Sequence, residues 1–191
     1  MLETAALILF AYLLGSISSA IVLSKIMGFK DPRSEGSNNP GATNVLRIAG
    51  KKAAFLTLVG DCLKGLIPVL LARGLEADPL VVALTAFAAF SGHCFPVFFH
   101  FRGGKGVATA IAATVGFNWI AGAILIAIWL VFARVFKISS LAAIISFCAL
   151  PLLIYWREQD LQVSIVFIAI SAILVWRHKS NIQRLIQGSE S

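Results

Sequence analysis

The chain has 191 residues and a formal net charge of +7, yet only 13% of its residues are charged while 59% are hydrophobic, and its mean hydropathy is +0.89. A water-exposed surface carries about a quarter of its residues as charges, so most of this surface must face lipid; a soluble globular enzyme is excluded and no nucleic-acid partner is expected. At roughly 20 residues per span, six or seven helices and their loops use up the length, which predicts one all-helical integral membrane domain over residues 1–191.

Taken in order, the apolar runs predict helices at residues 4–23, 53–73, 79–91 with an extension toward 99, 105–117, 119–136, 141–156 and 162–176. The first follows Met1-Leu2-Glu3 without a basic stretch, so it reads as a retained helix rather than a signal peptide. Cys62, Cys94 and Cys148 lie far apart and form no CxxC pair, so they read as small apolar residues and predict neither a zinc site nor a disulfide framework.

Whether residues 105–136 form one helix or two sets the topology downstream, and the turn signal Gly116-Phe117-Asn118-Trp119 favours two. Lys and Arg gather on the cytoplasmic side of membrane proteins. With seven spans and the N-terminus outside, 13 basic residues fall inside and Arg73 and Arg157 outside, whereas merging the two segments gives 9 against 6. Seven spans with a cytoplasmic C-terminus are therefore expected. The 105–117 helix would be ~20 Å long, too short for a ~30 Å hydrocarbon core, so its glycine-rich start should be recessed, beside a polar cavity open to the cytoplasm. The two halves share no internal repeat.

Three polar stretches fall on that side, Lys25 to Lys52, His93 to Val107 and Arg177 to Glu190. Residues 36–47, GSNNPGATNVLR, combine permissive glycines with hydrogen-bonding Ser37, Asn39, Thr43 and Asn44, and Arg47 adds a fork suited to phosphate oxygens. Arg102-Gly103-Gly104-Lys105-Gly106 precedes a helix, an arrangement of bare amides and a lysine that favours an anion. It is not a Walker A loop, because Phe99 stands where the first glycine is required and Gly106 where a serine or threonine is. The third stretch, Arg177-His178-Lys179-Ser180-Asn181 through Arg184 to Glu190, follows the last span; by itself it reads as a basic tail for anionic lipid heads.

Within the membrane, Asp61 and Lys64 share a helix face three residues apart. Intramembrane charges are functional candidates by default, though this pair could equally fix its helix in the bundle. His93 reads as an organiser of the cavity that donates to a loop carbonyl rather than as a base, and His100 as interfacial without a role. The sequence has no GxSxG elbow, no HExxH and no Asp within a dozen residues after any histidine, so a covalent serine mechanism, a zinc hydrolase and a His-x4-Asp acyltransferase are poor fits.

The ordered motifs Gly36-Ser37-x-Asn39-x-Gly41-Ala42-Thr43-Asn44-x-Leu46-Arg47, Gly92-His93-x-x-Pro96 with Phe101 to Thr109, and His178-x-x-Asn181-Ile182-x-Arg184-Leu185 with Gly188 and Glu190 resemble the bacterial acyl-phosphate:glycerol-3-phosphate acyltransferases, the PlsY family. The resemblance implies a seven-helix inner-membrane enzyme of phospholipid biosynthesis that makes 1-acyl-glycerol 3-phosphate (lysophosphatidic acid) and phosphate from glycerol 3-phosphate and a fatty acyl phosphate. Carried over by motif, Lys105 with the amides of Gly103, Gly104 and Gly106 would bind phosphate, and Arg47, His178 and Asn181 would hold glycerol 3-phosphate. Ser37, Asn39, Thr43 and Asn44 would shape the pocket and the acyl-phosphate site, with His93, Asp61 and Lys64 as further substrate-binding candidates. The proton acceptor is either His178 or a substrate phosphate oxygen. No metal or organic cofactor is expected, the partners are the two substrates and membrane lipid, and the protein should act as a monomer. A small anion transporter with a cytoplasm-facing cavity is the alternative from another class.

Overall fold

The structure, a computed structural model, describes residues 2–190, and every regular element among them is helical; Met1 and Ser191 lie outside the described residues. Helix α1 (Leu2–Gly15) and α2 (Ser19–Met27) occupy the first predicted span but meet at 42°. The break falls at a serine-rich corner, where the Ser16 hydroxyl donates to the Tyr12 carbonyl at 2.8 Å. It frees the Ile17 carbonyl, which accepts from Lys64 Nζ at 2.9 Å. A carbonyl exposed inside a bilayer needs such a partner.

Helix α3 (Ala42–Gly74) begins eleven residues before the predicted start, with its helical dihedrals interrupted at Gly50 (φ +81°). Thr43, Asn44 and Arg47 thus stand on helical turns instead of a loop, which corrects the sequence reading. The polar stretch concealed an apolar pair one turn apart, Val45 and Ala49, that packs against Ala20, Ala53 and Ala54. Helix α4 (Pro79–Cys94) stops short of residue 99 and passes through a single 3-10 turn at Val97–Phe99. Helices α5 (Val107–Phe117), α6 (Trp119–Phe136), α7 (Ser139–Glu158) and α8 (Leu161–Arg177) follow, and α9 (Lys179–Ile186) turns 56° away from α8.

Four helices among the described residues are long and apolar enough to cross a bilayer, namely α3, α4 with its extension, α6 and α7, and counting each bent pair as one span brings the number to six. Helix α5 has 11 residues, about 16 Å at 1.5 Å per residue, so it cannot span alone. It packs backbone to backbone against α3, where a Cβ added to Gly65 would lie 2.2 Å from the Thr109 carbonyl oxygen. Phe90, Phe147, Phe167, Leu150, Ile154 and Leu174 fill the centre of the bundle, while large apolar side chains such as Phe55, Leu130, Val135, Leu152 and Ile165 face outward. An apolar exterior of this kind suits lipid contact.

Candidate active site

The three polar stretches meet at one end of the bundle. Asp31, Arg33, Asn38 and Pro40 of the first, His100, Phe101, Arg102 and Gly103 of the second, and Arg177 of the third line a cleft of about 850 Å³. Its floor is the glycine turn before α5. Gly106, at φ +84°, gives the turn its last corner, and a Cβ there would lie 2.3 Å from the Phe90 ring. Beneath Gly103 and Gly104 lies His93: added Cβ atoms would come within 2.1 Å of its carbonyl oxygen and 2.2 Å of its Nε2. From the other side Arg177 clamps the turn, its guanidinium donating to the Gly103 carbonyl at 2.6 Å and the Gly104 carbonyl at 3.1 Å. The rings of Phe95 and Trp176 lie under that guanidinium at 5.5 and 6.0 Å.

One expectation is corrected here. The Gly104 amide donates to the His93 carbonyl at 3.2 Å, so it is committed to the fold and is not one of the donors offered to an anion. His93 does contact the loop, but as the acceptor through its main chain.

Lys105 is brought to the third stretch, and its Nζ donates to Asn181 Oδ1 at 2.5 Å. Burial, joined by the nearby charges of Arg184, Arg177 and Arg47 and opposed by Glu190, pushes the lysine pKa down to about 8. The Asn181 amide donates in turn to Glu190 Oε1, also at 2.5 Å. Ser140 at the start of α7 donates to the same oxygen at 2.6 Å, and Arg184 Nε to Oε2 at 2.6 Å. Burial acts to raise the Glu190 pKa, but the donors from Ser140, Asn181 and Arg184 outweigh it and hold the carboxyl below the usual range.

His178, at the junction of α8 and α9, is almost fully buried, with its Nδ1 2.8 Å from the Leu174 carbonyl. A carbonyl only accepts, so Nδ1 carries the proton and Nε2 keeps a lone pair. Burial is the main cause that pushes the imidazole pKa down to about 4, helped by Lys105 and Arg177 and opposed by the Leu174 carbonyl and Glu190. The ring is therefore neutral at pH 7.

The first stretch forms the rim. Asn44 is buried and fully engaged: its Oδ1 accepts from the Ser37 amide at 2.9 Å, and its Nδ2 donates to the carbonyls of Pro32 and Glu35 at 2.9 and 3.0 Å. It shapes the loop that carries Ser37 and Asn39. Ser37, Thr43 and Arg47 are exposed, and Arg47 is near enough to Lys105 to act on its charge. None of Lys105, Arg47, His178, Asn181, Asp61, Lys64 and His93 is in the lining of the cleft: the first four gather beside the glycine turn, Lys105 on Asn181, and the last three are buried beneath it. Arg177 and Glu190 stood in the third stretch but were given no individual role, and Ser140 was not singled out, because its partner Glu190 lies 50 residues away.

A helical bundle with an apolar exterior, a short helix that cannot span alone and a cation-lined cleft at one end defines a polytopic membrane protein. The model of the family described as glycerol-3-phosphate acyltransferase matches residues 5–188. A glycerol-3-phosphate acyltransferase of Methylococcus capsulatus is 49% identical over 97% of this chain and 93% of its own length, and one of Idiomarina loihiensis is 50% identical over 98% and 94%. The chain belongs to the glycerol-3-phosphate acyltransferase family. Its fold is similar to crystal structures of PlsY, an integral membrane glycerol 3-phosphate acyltransferase: the glycerol 3-phosphate form gives a TM-score of 0.94 at 38% identity, covering 99% of this chain and 94% of that one. The lysophosphatidic acid form gives 0.88 at 37% identity over the same shares.

Proposed function

We propose that this chain is a single-domain acyltransferase that passes through the bacterial cytoplasmic membrane seven times, the short α5 with its recessed start making the seventh passage, with its N-terminus outside and its cleft and C-terminus facing the cytoplasm. It moves a fatty acyl group from an acyl phosphate to the sn-1 hydroxyl of glycerol 3-phosphate, giving lysophosphatidic acid and inorganic phosphate, and acts as a monomer. The observation that carries this reading is the meeting of Lys105, Asn181 and buried His178 beside Arg47, Arg177 and Arg184. Relatives captured with glycerol 3-phosphate and with lysophosphatidic acid supply the substrate and product. The 13 basic residues at the cleft end against two at the other support the orientation.

The chemistry favours an acyl phosphate as donor. Such a mixed anhydride brings its own leaving group, so the protein must hold two anions together and aim a hydroxyl at the carbonyl carbon. Two phosphates side by side repel one another, and Lys105 with the neighbouring arginines supplies the positive field that offsets this. Asn181 and Arg47 hold glycerol 3-phosphate. His178 Nε2, fixed as an acceptor, takes the hydrogen bond of the sn-1 hydroxyl and orients it. With a pKa near 4, the imidazole orients better than it retains a proton. As the hydroxyl oxygen bonds to the carbonyl carbon and the carbon–phosphate oxygen bond breaks, the proton passes to a phosphate oxygen. The acyl chain lies among the apolar helices and the soluble substrate enters from the cytosol.

Purified protein in detergent, given palmitoyl phosphate and glycerol 3-phosphate, should release phosphate and form lysophosphatidic acid in equal amounts, and palmitoyl-CoA should not replace the acyl phosphate. No phosphate release from folded protein would reject the reading in favour of an anion transporter.

A further inference from the structure

Asp61, Lys64, His93 and Thr109 are buried together below the glycine turn, and none of them lines the cleft. The Thr109 hydroxyl donates its one hydrogen to the Asp61 carbonyl at 2.9 Å, so it faces His93 Nδ1, 3.2 Å away, with a lone pair. Nδ1 must then carry a proton, which also suits the Asp61 carboxylate oxygen 3.6 Å from it. The same carboxylate oxygen lies 2.9 Å from Lys64 Nζ, and Lys64 is fixed to the break between α1 and α2 through Ile17. The ring is thereby locked in one orientation, with its Nε2 edge against Gly104 and its main-chain carbonyl holding the Gly104 amide. Arg177 closes the turn from the opposite face. A residue of α4 held by α3 and α5 and touching two successive residues before Lys105 fixes the height of that lysine.

We infer that His93, oriented by Thr109, Asp61 and Lys64, is a positioning residue that sets the Lys105 ammonium at its working depth, and that this buried group serves the site without touching substrate. The inference rests on the role of Lys105 proposed above. An asparagine places its amide nitrogen near the position of His Nδ1 and keeps a donor toward Thr109 and Asp61, whereas a glutamine places it near Nε2 and leaves both without one. His93→Asn should therefore preserve function better than the longer His93→Gln.

The test is the pH dependence of Lys105 acetylation by succinimidyl acetate, read by mass spectrometry on purified full-length protein, together with kcat and KM. In the parent the midpoint should fall near 8. His93→Gln should move it upward by about one pH unit as the amine escapes burial, and lower kcat by about tenfold or more with KM for glycerol 3-phosphate little changed. His93→Asn should stay near the parent in both. Thr109→Val should follow His93→Gln and Thr109→Ser should follow the parent, which keeps the test open if a histidine variant fails to fold. An unmoved midpoint in both His93→Gln and Thr109→Val, or a pure rise in KM, would overturn the inference. A moved midpoint with no change in acyl transfer would uphold it and reject the assignment of Lys105 instead.

Discussion

The two ends of the bundle use the same kinds of polar residue for different ends. Where α4, α6 and α8 begin, their first turns are closed by their own side chains: Asp78 accepts from the Leu80 amide at 2.9 Å, Asn118 from Ala121 at 3.0 Å, and Asp160 from Gln162 and Val163 at 2.8 and 3.1 Å. Both arginines of that end line a 370 Å³ cavity; Arg73 donates to the carbonyls of Gly116 and Phe117, and the cavity also holds the Asn118–Glu158 hydrogen bond. At the cleft end, α3, α5 and α7 begin without a side-chain cap. Their open amides and dipoles add to the charges of Lys105, Arg47, Arg177 and Arg184. One end completes its own hydrogen bonds and the other keeps positive potential available, which is the physical difference between a scaffold and a site.

The strongest way to break this comparison is Lys105→Ala, which removes the central cation. Turnover should fall about 10³-fold or more, by analogy with the loss of a preorganised donor; near-parental phosphate release would dismiss the cleft as the place of reaction. His178→Ala should come next, with kcat down about 10²-fold and KM for glycerol 3-phosphate within a few-fold. A rise in KM alone would make the imidazole a binding group.

The pH profile gives a smaller effect. Lys105 in the proposed role acts as a cation, and with its pKa pushed down to about 8, kcat/KM should be flat below that value. Above it, kcat/KM should fall about tenfold per pH unit as the ammonium is lost. Lys105→Arg, charged throughout, should lack that alkaline limb at whatever activity it retains. At the scaffold end, Asp160→Ala removes an acceptor for two amides and should lower thermal stability by about 1 kcal/mol, with activity within roughly twofold. A loss of activity comparable to that of Lys105→Ala in folded protein would erase the distinction between the two ends.

Hydropathy and the basic residues made the helices and the sidedness of the motifs legible, because a bilayer forces each segment to satisfy its own backbone and leaves long apolar runs in the sequence. The short fourth segment and the gathering of the three polar stretches could be anticipated for the same reason. The break at residues 16–18, the helical start of α3 at Ala42 and the fate of the Gly104 amide could not, since each depends on what another element offers: Lys64 for the Ile17 carbonyl, Ala20 for Val45, and His93 for Gly104. The sequence by itself determined which residues enter the membrane and which gather at one end, through solvation acting locally along the chain. Only the tertiary structure decided which donors stay open to a ligand. Lys105 and Asn181, or Arg177 and Gly103, lie more than 70 residues apart, and a hydrogen bond is fixed by distance in space.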